Sequence, residues 1–176
     1  VKNGGSLTVT DNSAEKGGKI EATDSSYGYG IQLYSESSFT LQAGTIETTQ
    51  ETVDIYDSTP NCIVDIARGK LISTTDNVLG VRGNGTKVTI TGGELVSNGR
   101  TGVYISCYGD PDSIQFTMTG GKLTHTGGMS GAIQLYQGAT VTIGGTAQIE
   151  STSYAVQVQE NTILNVEGGN LSSSGS

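Results

Sequence analysis

The chain repeats itself at a nearly constant spacing, and that spacing narrows the folds open to it more than any local propensity does. Seven times an apolar-x-apolar pair is followed, past a Gly or small-residue corner, by Ile or Leu. The couplings are Leu7 to Ile20, Phe39 to Ile46, Val64 to Leu71, Val88 to Leu95, Phe116 to Leu123, Val141 to Ile149 and Leu164 to Leu171. Five of these spacings are seven residues, one is eight, and the first is stretched by an insertion at residues 11–18. The Ile and Leu positions themselves recur at intervals of 26, 25, 24, 28, 26 and 22 residues. A fixed internal period is the mark of a chain that stacks like units, each of which buries its apolar face only against its neighbours.

Reading backwards from each pair reveals a further strand, again apolar-x-apolar: Ile31/Leu33, Val53/Ile55, Leu79/Val81, Val103/Ile105, Ile133/Leu135 and Val156/Val158. Thr, Val, Ile and Tyr are plentiful, 27 Gly punctuate the chain, and no stretch keeps apolar residues at helical spacing, so short strands joined at Gly corners are expected. Three strands per turn, roughly 25 residues per turn and six or seven turns describe an all-β fold, a right-handed parallel β-helix (β-solenoid). In such a fold each strand pairs with its counterpart one turn away, at about 4.8 Å. Residues 1–176 read as one β-helix domain, and because strand phase is already set at residues 4–10 and still running at 168–176, a fragment of a longer chain is expected.

Charge and cysteine content exclude several functions. The net charge is -8, with Lys and Arg scattered along the chain, the opposite of the basic patch that binds nucleic acid. No apolar run approaches the roughly 20 residues that cross a bilayer, so no membrane insertion is expected in this segment. Cys62 and Cys107 form no zinc-like cluster. The repeat places them two turns apart, about 9 to 10 Å, beyond disulfide reach. No metal site and no cofactor are implied.

The outward residues differ between faces. All eight Tyr fall on the face of the Ile31-type strands or on its flanks. Tyr34, Tyr56 and Tyr136 take one equivalent outward position, Tyr104 another, Tyr27, Tyr29 and Tyr154 precede the strands, and Tyr108 follows one. Between them point Gln32, Asp54, Arg82, Gln134, Gln157 and Gln159. A ring face with a hydroxyl, set among amide and carboxyl groups, suits sugar rings or a protein partner. The candidate ligand-binding residues are therefore Tyr34, Tyr56, Tyr104, Tyr136, Gln32, Gln134 and Gln157. The second face carries Thr8/Thr10, Thr89/Thr91 and Thr117/Thr119, a lattice broken by Asp65, Ala67, Gly144, Asn165 and Glu167 and explained by strand propensity. The third alternates Lys19, Lys70 and Lys122 with Glu21, Glu47, Glu94 and Glu150, a solvated mixed-charge surface.

Polysaccharide cleavage needs paired carboxylates, or acidic ligands with a basic residue. The nearest such constellation is Asp54 with Arg82 one turn above it, beside Asp57, Asp110 and Asp112 on adjoining loops; no catalytic residue is assigned, and only Asp54 and Arg82 stand as weak candidates. His125 occupies the inward position otherwise filled by Ala22, Thr48, Ser73, Ser97, Ser151 and Ser173, which reads as a core histidine within a hydroxyl ladder.

The strings SSFTLQAGTIETT, TKVTITGGELVSNGRTGVYIS and FTMTGGKLTHTGGMSGAIQLYQGATVTIGG resemble the degenerate repeats of pectin-lyase-like right-handed β-helices. They are most similar to the non-enzymatic versions in large surface proteins of Gram-positive and gut bacteria, with phage tail and appendage proteins second. The resemblance implies an extracellular, cell-surface or secreted adhesin or stalk module with glycan or host-surface protein partners. Its enzymatic members are polysaccharide lyases and glycoside hydrolases, whose acidic and basic clusters this chain lacks. Phage-like membership would imply a virion location and a trimer.

Overall fold

The computed structural model describes residues 1–13, 17–57, 59–107, 111–128 and 130–175. Tyr108 and Asp110 lie outside them. The strands form three parallel sheets, visited in rotation. A threonine sheet holds Ser6–Val9, Ser38–Leu41, Ile63–Ile66, Thr86–Ile90, Ile114–Met118, Ala139–Ile143 and Thr162–Val166. A lysine–glutamate sheet holds Lys19–Ala22, Thr45–Thr48, Lys70–Ser73, Glu94–Ser97, Lys122–His125, Gln148–Ser151 and Asn170–Ser173. A tyrosine sheet holds Ile31–Leu33, Val53–Ile55, Leu79–Val81, Val103–Ser106, Ile133–Gln137 and Val156–Val158. The result is a parallel β-solenoid of about 6 turns with ~25 residues per turn. Its one described helix is a 3-10 turn at Pro111–Ser113, and no described helix is long and apolar enough to cross a membrane.

The repeat predicts the register directly. Phe39, Val64, Val88, Phe116 and Val141 stack as one column of the threonine sheet. Ile46, Leu71, Leu95, Leu123 and Ile149 stack as one column of the lysine–glutamate sheet. Both columns are buried and form a continuous core with Leu33, Ile55, Val81, Ile105 and Leu135 of the tyrosine sheet. Because alternate side chains face opposite ways, a slip of one residue would turn a whole strand's apolar set to water.

The seven-residue coupling is the length of one corner. Gly44, Gly69, Gly93 and Gly121 hold φ of 86°, 85°, 83° and 81°, left-handed values that suit glycine. They also stack: a Cβ on Gly93 would lie 3.0 Å from the carbonyl oxygen of Gly69. Where the corner instead reads Gly144-Gly145-Thr146-Ala147, it is one residue longer and the coupling lengthens to eight. Lys19 pairs with Glu21 and Glu47, Lys70 with Glu94, and Lys122 with Glu150, the mixed-charge face expected of that sheet. Ile72 and Val96 also point outward there, side by side on neighbouring turns.

Cys62 and Cys107 are both buried and free. The inward ladder runs Ala22, Thr48, Ser73, Ser97, His125, Ser151 and Ser173 in register. His125 Nε2 donates to the carbonyl of Arg100 at 3.2 Å. Nδ1 is therefore the acceptor and takes the Ser151 hydroxyl at 3.1 Å.

Candidate functional site

The outward column of the tyrosine sheet runs Gln32, Asp54, Gly80, Tyr104, Gln134, Gln157. The residue paired directly with Asp54 in the next turn is Gly80, and Arg82 stands in that same turn two positions further along, just past the end of the Leu79–Val81 strand. Arg82 nevertheless reaches Asp54, because Gly80 leaves the space empty. A Cβ on Gly80 would sit 2.7 Å from Arg82 Nη1 and 2.5 Å from Glu51 Oε1. A glycine inside a strand often marks such a close approach.

Through that gap three charged groups meet. Arg82 Nη2 donates to Glu51 Oε1 at 2.5 Å and Nη1 to Glu51 Oε2 at 3.0 Å, a two-pronged pairing of the strong planar kind. Nη1 also donates to Asp54 Oδ1 at 2.7 Å. Asn77 Nδ2 donates to Glu51 Oε1 at 2.5 Å, and Gln32 Nε2 to Asp54 Oδ2 at 3.4 Å. The Arg82 guanidinium also lies over the Tyr104 ring, 5.3 Å from its centroid. Asp54, an outward residue by alternation, is consequently only 1% exposed.

One guanidinium faces two buried carboxyl groups, so both cannot be ionised without an uncompensated charge. Burial first, and then the Glu51 charge, push Asp54 up to about 7, against the opposing pull of Arg82. Burial works against the charge on Arg82, but its hydrogen bonds to Glu51 and the charges of Glu51 and Asp54 outweigh that and raise its pKa. Tyr29 is raised by burial and then by the same two carboxylates.

Two adjoining clefts open beside this cluster. One, about 240 Å³, is bordered by Tyr29, Glu51, Asp54, Tyr56, Asp57 and Arg82. The other, about 570 Å³, is bordered by Val1, Lys2, Tyr27, Tyr29, Gly30, Gln32 and Tyr34. Tyr29 belongs to both. Tyr56 and Tyr27 are 54% and 83% exposed, whereas Tyr34 is half-buried with Lys2 Nζ 5.0 Å from its ring centroid.

Of the residues singled out in the sequence, Asp54, Arg82, Tyr56, Gln32 and Tyr34 border these clefts, and Tyr104 borders neither but stands against Arg82. Gln134, Gln157 and Tyr136 lie beyond Tyr104, further along the sheet. Gln134 Oε1 accepts from Thr101 Oγ1 at 3.4 Å. Tyr136 does not share the level of Tyr34 and Tyr56: Ile105 pairs with Leu135 but Ser106 pairs with Gln137, so Tyr136 is the extra residue of a bulge. Glu51 and Asn77 were not legible as site residues, since both sit in turns between strands where the period assigns no facing. The sequence signal that could have found them is Gly80, the glycine of the outward column.

Among the described residues no three His, Cys, Asp or Glu side chains are placed to hold a metal ion. In comparisons with protein-family models, with curated proteins and with solved structures, none matches this chain.

Proposed function

We propose that this chain is a binding module of a surface adhesin or stalk, displayed outside the cell, and that its ligand is a glycan held on the tyrosine sheet. The observation that carries this reading is the pair of clefts sharing Tyr29, with Tyr27 and Tyr56 well exposed beside fixed amide and carboxyl groups. Aromatic faces beside positioned polar groups are what a sugar ring needs; Tyr27 and Tyr29 stand in the connection leading into the Ile31–Leu33 strand, and Tyr56 directly follows Val53–Ile55. The likeness to non-enzymatic pectin-lyase-like repeats in bacterial surface proteins supports the same reading.

Catalysis at Asp54 and Arg82 fits the geometry less well. The Asp54 carboxyl lies beneath the guanidinium, and Arg82 Nη1 and Nη2 are both engaged with Glu51 or Asp54. A base or acid must reach the proton it transfers, and this pair is turned inward on itself. The cluster therefore serves to hold Tyr104 and the cleft wall in place.

The test is a glycan array probed with the wild-type chain and with Tyr29→Ala, Tyr56→Ala and Tyr136→Ala. Binding of at least one glycan is expected, reduced more than about tenfold by the first two substitutions and little by the third. A folded wild-type protein that binds no glycan, or whose binding ignores Tyr29 and Tyr56, overturns the proposal.

A further inference from the structure

We infer that the two clefts form one continuous site for an uncharged oligosaccharide, with Tyr29 as the wall against which two neighbouring sugar units both pack. This rests on the glycan reading above and adds to it the length and the charge of the ligand. Continuity comes from Tyr29, which borders both clefts, and from Gln32 and Asp54, which border one cleft each and are direct partners in adjacent strands. Their side chains are linked by the 3.4 Å hydrogen bond from Gln32, so the floor does not break between the clefts.

The charge of the ligand follows from what surrounds the smaller cleft. Glu51, Asp54 and Asp57 border it against one cation, Arg82. Two of the guanidinium nitrogens already donate to Glu51 and Asp54. A uronate or sulfate would meet like charge there, in a chain whose net charge is already -8, and like-charge juxtaposition at a contact surface suppresses wrong partners strongly. A sugar bearing only hydroxyl groups can instead donate to the exposed Asp57 carboxylate and lay its apolar face on Tyr29 or Tyr56. A cationic sugar would gain at Asp57 but would face Arg82 in the smaller cleft and Lys2 in the larger.

The experiment is calorimetric titration of the folded chain with cello-, xylo- and manno-oligosaccharides of increasing length, with oligogalacturonates as the acidic arm and glucosamine oligomers as the cationic arm. Affinity for a neutral series is expected to rise at least about tenfold from the single sugar to the trimer and then level off. Tyr29→Ala should abolish that rise, and Tyr29→Phe should keep it. If a neutral series binds without dependence on length, or if Tyr29→Ala leaves the dependence intact, the shared site is wrong. Tighter binding of either charged arm overturns the uncharged assignment. An array on which no glycan binds at all is a different failure, that of the glycan reading itself.

Discussion

At the scale of single residues, Asp54 is the most informative position. Its folded-state pKa, about 7, stands above its ordinary 3.8, so between those values the native chain keeps a proton that the unfolded chain gives up. Stability contributed by this group is present at low pH and lost as pH rises from about 4 to about 7. Asp54→Asn, which mimics the protonated acid, should therefore gain on the wild type by on the order of 1–3 kcal/mol between pH 5 and pH 8, read by urea denaturation at both. A constant difference would mean that Asp54 is ionised throughout. Gly80 makes the cluster physically possible. Gly80→Ala places a methyl 2.5 Å from Glu51 Oε1 and 2.7 Å from Arg82 Nη1 and should cost about 1–3 kcal/mol by forcing the ion pair to move. Chemical denaturation checks it, and a change below about 0.5 kcal/mol, the usual effect of a surface substitution, would show that the gap is not needed.

At the scale of an element, the strand Lys122–His125 shows how one column tolerates an unlike member. His125 replaces a hydroxyl residue of the ladder and completes the same kind of link, donating to the backbone carbonyl of Arg100 where Ser97 Oγ, one turn below, donates to that of Asp76 at 3.0 Å. Burial lowers its pKa below 6.5, so the folded chain resists a proton that the unfolded chain accepts. That contribution is present above pH 6.5 and lost as pH falls below it, opposite in direction to Asp54. His125→Ser restores the prevailing residue but leaves space behind. It should cost on the order of 1–3 kcal/mol at pH 8, and the gap to the wild type should narrow toward pH 5 in melts across that range. An unchanged gap would place the imidazole in contact with water.

At the scale of the whole molecule, stability in a solenoid is close to a sum over turns and their interfaces. Removing one complete turn should therefore leave a folded protein. Deleting residues 95–122 joins Glu94 to Leu123 and keeps the column of Ile and Leu in step, with the Tyr29 clefts untouched. The shortened chain should retain a β-sheet circular dichroism spectrum and unfold cooperatively at a lower temperature. Deleting 96–122, one residue fewer, turns the following strand's apolar set outward and should prevent folding. If both deletions behave alike, the register is not what holds the turns together.

The sequence by itself determined the turn length, the three columns of each turn, the corner glycines and the facing of nearly every strand residue from Phe39 to Ile149. It did so because strand alternation and stacking at constant spacing are local rules, repeated until chance is excluded. The position of Tyr136 escaped it, because a bulge adds a residue without breaking the apolar pattern. The pairing of Asp54 with Arg82 was legible, but Glu51 as the third member of that cluster was not. That contact depends on where side chains from a turn and from beyond a strand end converge across the space left by Gly80, and only the tertiary structure brings those three together.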